Sequence, residues 1–168
     1  MAERLLDIGL RVNGEDVCER VEARKTLVDF LREDLGLTGS HIGCEQGVCG
    51  ACTVLVDNEV VRGCLVLAVQ CDGADVQTIE GISDSGVIAD LQDAFARRNA
   101  LQCGFCTPGM LIGAHELLSR GGVPSRDKIR EHISGNYCRC TGYQAIVDAI
   151  ESIANSRAQA RAAKAGPS

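Results

Sequence analysis

Ten cysteines in 168 residues are unevenly spread. Cys44, Cys49 and Cys52 fall in the stretch from Gly43 to Cys52, which also holds Gly47 and Gly50, and Cys64 follows after eleven intervening residues. The spacing C-x4-C-x2-C with a distant fourth thiol is the ligand order of a plant-type 2Fe-2S site. Four thiolates around an oxidised cluster carry net negative charge, which is held best where backbone N–H groups point at the sulfurs. Gly43, Gly47 and Gly50 suit such a loop, because a residue without Cβ takes left-handed angles and lets the chain approach closely.

A second constellation is Cys103-Gly104-Phe105-Cys106 with, thirty-one residues later, Cys138-Arg139-Cys140. The span from 108 to 134 reads as an antiparallel helical hairpin that returns Cys138 to Cys106. Both thiol pairs then precede first helical turns, at Pro108 and near Tyr143, where free N–H groups and the positive dipole end favour thiolate and cluster alike. The expectation is a second 2Fe-2S cluster, buried in the helices, with Phe105 keeping water off it.

Structural zinc is the competing occupant of either site. Its usual spacing is C-x2-4-C in both halves, whereas here three thiols lie within nine residues in one set and the other ends in C-x-C. Disulfides compete less well in a chain expected to be cytoplasmic. His41, His115 and His132 raise a Rieske-type centre, but eight thiols already complete two four-thiolate sites. Cys18 and Cys71 are left over and read as small apolar residues. Arg139 either tunes a cluster by its charge or pairs with a carboxylate.

Several elements must position these thiols. Leu6, Ile8, Leu10 and Val12 alternate up to Asn13-Gly14, and Val17 to Val21 follow, which predicts a hairpin. Thr26 opens a short helix through Leu27, Phe30, Leu31 and Leu35 that closes at Gly36. Thr53 to Val56, an Asp57-Asn58 turn and Val60 to Gly63 form a second hairpin that brings Cys64 beside Cys52, and Val76 to Ile79 reads as a closing strand. From Ile82 the apolar period lengthens to that of helices. Ser85, Thr107-Pro108, Ser125 and the region of Tyr143 each open one, so four helices make a bundle. The fold class is α+β: an N-terminal β-grasp ferredoxin-like domain over 1–80, a four-helix-bundle domain over 81–155, and a mobile tail over 156–168.

A formal charge of −6 argues against nucleic acid, since no basic stripe neutralises phosphates. The start from Met1 to Asp7 is broken by charge and offers no apolar signal core, and the uncharged run Asn99 to His115 is broken by Gly104, Pro108, Gly109 and Gly113. The protein is expected to be cytoplasmic and not inserted in a membrane. No nucleotide fingerprint, acid-base pair or catalytic residue is evident, so chemistry on an organic substrate needs partners.

The stretches GCEQGVCGACTVLVD, QCGFCTPGM and GNYCRCTGYQ resemble the iron-sulfur small subunit of the molybdenum hydroxylase (xanthine oxidase) family, and the resemblance runs from about Leu6 to Ile153. It implies that a large subunit oxidises substrate at a molybdenum-pterin centre. Electrons then pass through a cluster on Cys103, Cys106, Cys138 and Cys140, then one on Cys44, Cys49, Cys52 and Cys64, to FAD on a medium subunit. It also implies that Gln102 and Cys140 lie against the pterin, and that the subunits assemble as a dimer of heterotrimers. N-heteroaromatic hydroxylation is the leading activity of the complex, with carbon monoxide or aldehyde oxidation as the alternative. A free two-cluster ferredoxin is the rival from another class.

Overall fold

The computed structural model describes residues 4–165. Strands β1 (Leu5–Val12) and β2 (Glu15–Glu22) pair antiparallel, with Val12 opposite Glu15 across the Asn13-Gly14 turn. Both turn residues have positive φ, 52° and 87°, which is the two-residue geometry whose twist matches the strands. Strands β3 (Thr53–Val56) and β4 (Glu59–Arg62) repeat the device at Asp57-Asn58, with φ of 50° and 66°. Strand β5 (Asp75–Gln77) runs parallel to β1 and antiparallel to β3, giving the order β2-β1-β5-β3-β4.

Alternation along β1 buries Ile8, Leu10 and Val12 on one face, against Leu27, Phe30 and Leu31. Leu27 belongs to α1 (Leu27–Asp29), capped by the Thr26 hydroxyl accepting from the Asp29 N–H, and Phe30 and Leu31 to the turn that follows it. The segment widens into a π-helical turn over Phe30–Asp34 instead of continuing as the expected α-helix, and Gly36, at φ 69°, turns the chain out of it.

Five helices follow. Helix α2 (Ile79–Asp84) takes Ile79, which was expected in a strand, and precedes α3 (Ala89–Arg97). Ser85 was expected to open a helix, but its hydroxyl donates to the Ile82 carbonyl at 2.8 Å and closes α2, and Gly86 at φ 73° separates the two. Helix α4 (Thr107–Ser119) has Cys106 at its N-cap position without a side-chain capping bond and Thr107 and Pro108 inside its first turn, and α5 (Arg126–Ile133) is capped by Ser125 as expected. Helix α6 (Gln144–Ala165) runs through most of the stretch expected to be a mobile tail. Arg157 anchors it by donating to both Asp90 carboxylate oxygens, at 2.7 and 2.9 Å, and to the Val87 carbonyl. Residues 166–168 of that tail lie outside the described residues.

Strand β3 joins the two halves. Val54 packs into the core under the sheet, whereas Leu55, on the opposite face, packs with Ile88, Leu91, Met110, Ile112 and Ile146 of the helices. No helix among the described residues is long and apolar enough to cross a membrane.

Candidate metal centres

Three of the sheet-side thiols, Cys44, Cys49 and Cys52, stand in the loop that leads into β3. Gly47 (φ 75°) and Gly50 (φ 72°) take left-handed angles as expected, but Gly43 does not, and Glu45 (φ 55°) supplies the remaining turn. Gly43 is needed for space: a Cβ there would lie 3.1 Å from the Cys49 sulfur. The curled backbone aims N–H groups inward, so that Cys44 Sγ accepts from the amides of Cys49 and Gln46, both at 3.4 Å. Those hydrogen bonds pull its thiol down to about 6. Burial does the opposite to Cys52, pushed up to about 11 with Cys64 beside it. The second hairpin places Cys64 there as expected, with the Gly63 N–H donating to the Cys52 carbonyl at 3.0 Å.

On the helical side Cys140 Sγ lies 3.7 Å from Cys103 Sγ, and Cys106 neighbours Cys138. Burial pushes Cys106 up to about 12. Burial also raises Cys138, but the Thr141 hydroxyl, donating at 3.1 Å, and the amides of Cys140 and Thr141 outweigh it and hold this thiol below its ordinary value. Tyr143 is left-handed at φ 68°, a costly conformation for a bulky residue. Its phenol oxygen reaches back to accept from the Cys138 N–H at 2.8 Å. Thr141 and Tyr143 are thus site residues that sequence reasoning missed; their only signal is the sequence C-R-C-T-G-Y itself.

The helical site opens to the surface, contrary to expectation. Cys103 and Cys140 are exposed, as is Gln102, whose side-chain amide donates to the Cys140 carbonyl at 2.8 Å. The cause is topological: both thiols lie on connections at one end of the bundle, outside the helices that cover Cys106. Phe105 does not cover the site either. It is 46 % exposed and stacks on His41 with centroids 4.7 Å apart, while its carbonyl meets His41 Nδ1 at 2.8 Å. His41 lies three residues before Cys44, so this stack joins the two thiol loops. A second tie is direct, from the Tyr137 N–H to the Cys49 carbonyl at 2.8 Å.

All ten cysteines are free. In each site the four thiols stand as two pairs, Cys44 with Cys49 and Cys52 with Cys64 on one side, Cys103 with Cys140 and Cys106 with Cys138 on the other. Among the described residues no three such ligands converge on the position of a single ion. Four thiols set in two pairs fit the four-cysteine donor set that would hold a 2Fe-2S cluster.

Residues 10–78 match the family model of the 2Fe-2S iron-sulfur cluster binding domain, and residues 78–151 that of the [2Fe-2S] binding domain. The chain is 52 % identical to the nicotine 6-hydroxylase small subunit of Paenarthrobacter nicotinovorans, over 86 % of this chain and 87 % of that one. It is 50 % identical to caffeine dehydrogenase subunit gamma of Pseudomonas sp. (strain CBB1), over 87 % and 89 %. It superimposes on a chain of quinoline 2-oxidoreductase from Pseudomonas putida 86 with TM-score 0.87 and 52 % identity, covering 94 % and 97 %. The chain belongs to the iron-sulfur small subunits of the molybdenum hydroxylase family. As in that family, it carries two 2Fe-2S domains, one on a sheet and one on helices.

The leftover thiols lie away from both sites. Cys18 is exposed on β2, and Cys71 is buried in the core under the sheet, where burial raises its thiol. Of the three histidines, His132 sits 3.1 Å from Glu116 and His115 is half-buried on α4; only His41 adjoins the thiol loops.

Proposed function

We propose that this small subunit holds one 2Fe-2S cluster on Cys44, Cys49, Cys52 and Cys64 and a second on Cys103, Cys106, Cys138 and Cys140, and relays electrons between a molybdenum-pterin subunit and an FAD subunit. When bound, such clusters supply one-electron transfer and no acid-base chemistry. The chain's own residues do the rest. Backbone amides around Cys44 and the Thr141 hydroxyl stabilise thiolate, the folds of the two loops set the thiol pairs, and the Cys49–Tyr137 and His41–Phe105 contacts hold the sites together. The carrying observation is that pairing of eight thiols in two sites, whose loops touch through the Tyr137–Cys49 backbone hydrogen bond and the His41–Phe105 contact.

The exposed trio of Gln102, Cys103 and Cys140 faces the molybdenum-pterin subunit, with Gln102 and Cys140 against the pterin; the Gln102–Cys140 hydrogen bond already brings the two together. The sheet site faces the flavin. The two domains divide near residue 80, the complex is a cytoplasmic dimer of heterotrimers, and its substrate is an N-heteroaromatic ring, the class named in the relatives for nicotine, caffeine and quinoline.

The test is metal analysis with electron paramagnetic resonance of the dithionite-reduced complex, purified from its host. Two irons for each site, two distinct signals, and molybdenum and flavin on larger chains are expected. Zinc without labile sulfide would overturn the cluster assignment, and the two signals without molybdenum or flavin would make the chain a free carrier.

A further inference from the structure

Between the two thiol sites lies a polar knot that takes no part in holding thiols. Asn136 is 4 % exposed. Its amide nitrogen donates to the Gly50 carbonyl at 3.0 Å and to Thr53 Oγ1 at 3.1 Å. Arg62 enters from β4: Nη1 donates to Thr53 Oγ1 at 2.6 Å, and Nη2 to the Gly135 carbonyl at 2.8 Å and to Asn136 Oδ1 at 3.4 Å. The Thr53 hydroxyl in turn donates to the Gly50 carbonyl at 2.6 Å. Arg62 therefore directs its fork at three neutral acceptors on both sides of the domain seam.

The places of these residues are specific. Gly50 follows Cys49 and Thr53 follows Cys52, while Arg62 stands two residues before Cys64 and Asn136 two before Cys138. The seam has no slack. A Cβ on Gly50 would lie 2.5 Å from the Gly135 carbonyl oxygen, and one on Gly109 would lie 2.3 Å from the Gly50 carbonyl oxygen. Backbone meets backbone here, and the Tyr137 N–H to Cys49 carbonyl bond sits at the edge of that contact.

We propose that Asn136 and Arg62 are positioning residues for electron passage between the two sites, locking Gly50 and Thr53 to Gly135 and so fixing the spacing of the thiol sets and the Cys49–Tyr137 connection. The inference rests on the assignment of the eight thiols as cluster ligands. In the step served, one electron leaves one site, which is oxidised, and reaches the other, which is reduced; no bond forms or breaks. A buried network whose members are all satisfied specifies one geometry, whereas one missing donor cuts Gly50 and Thr53 loose from Asn136, or the Gly135 carbonyl from Arg62, and leaves the seam free to shift. Arg62→Lys is the sharper probe, because a lysine keeps the charge and loses the planar fork.

The experiment compares the purified complex carrying Asn136→Ala, Arg62→Lys or, as a packing control far from both sites, Arg157→Gln. Iron per chain, the spin–spin splitting between the two reduced clusters and the rate of electron equilibration after rapid reduction are read in each. Asn136→Ala and Arg62→Lys are expected to keep both signals but alter the splitting and slow equilibration about tenfold or more, in line with the cost of small misplacements, and Arg157→Gln to change neither. Unaltered splitting and rate in Arg62→Lys at full iron content would overturn the proposal, as would the same change in Arg157→Gln. If Asn136→Ala loses iron, Arg62→Lys decides alone. Absence of two signals in the unsubstituted complex would instead overturn the ligand assignment beneath it.

Discussion

The sheet site and the helical site solve one problem with different material. In each, one thiol is lowered by hydrogen bonds and another is raised by burial: Cys44 against Cys52, Cys138 against Cys106. On the sheet side the donors are amides of a loop curled by left-handed residues within a few positions of the thiol they serve. On the helical side the Thr141 hydroxyl joins the amides of Cys140 and Thr141, the Tyr143 phenol oxygen accepts from the Cys138 N–H, and the two halves of the site come from segments some thirty residues apart. The sheet site is contained within its own loop and hairpin, with Cys52 fully buried. The helical site leaves Cys103 and Cys140 on the surface. Burial therefore differs between the two sites although the balance of hydrogen bonding and burial at their thiols is alike.

The largest effects are expected at the ligands. Cys49→Ser is expected to abolish one cluster's paramagnetic signal and spare the other, and Cys138→Ser to do the reverse; loss of both signals from either change in a folded protein would contradict two independent sites. The glycines come next. Gly50→Ala adds a Cβ against backbone at positive φ and should destabilise by about 3 kcal/mol or more in thermal unfolding, whereas Gly104→Ala, also at positive φ (84°) but with open space around it, should cost only about 1 kcal/mol. Equal effects would mean that the seam yields. Tyr143→Phe leaves the Cys138 N–H without its acceptor and should cost about 1–2 kcal/mol, read as a lower unfolding midpoint; a matching loss in the sheet-site signal would mean that the two loops do not respond independently.

The smallest effect lies away from both sites. Hydrogen bonding to Arg157, beside its charge, holds the Asp90 carboxyl below its ordinary value. A carboxyl lowered on folding contributes stability that is complete above the unfolded value, near ~4, and is lost as pH falls through the lower folded value. Arg157→Gln should therefore be less stable than the parent by roughly 0.2–1 kcal/mol at neutral pH, the range of partly exposed pairs, with the gap closing below about pH 4. A gap independent of pH would assign the loss to packing.

Much of this molecule is legible locally. Asn13-Gly14 and Asp57-Asn58 tolerate positive φ, so each ends a strand and starts its partner whatever surrounds it, and the second of these turns returns Cys64 to Cys52. Ser125 caps the next N–H groups in the chain, and the C-x4-C-x2-C loop carries its own amides. These features depend on neighbours a few residues away. Ser85 shows the limit: a hydroxyl can cap the helix after it or bond back to the one before, and here it bonds back to Ile82 while α3 starts only at Ala89. The end of α6 shows another, since Arg157 needs Asp90, sixty-seven residues earlier, to be held.

The identity of the eight thiols, their division into two sets and the two-iron chemistry they suit were set by residue type and spacing, because ligand chemistry is a property of side chains and short loops. Which site is open, what Phe105 touches, how Tyr143 reaches Cys138, and how Asn136 and Arg62 join the two loops were settled only on folding. Each depends on atoms distant in sequence meeting within hydrogen-bond range, and no local propensity encodes such a meeting.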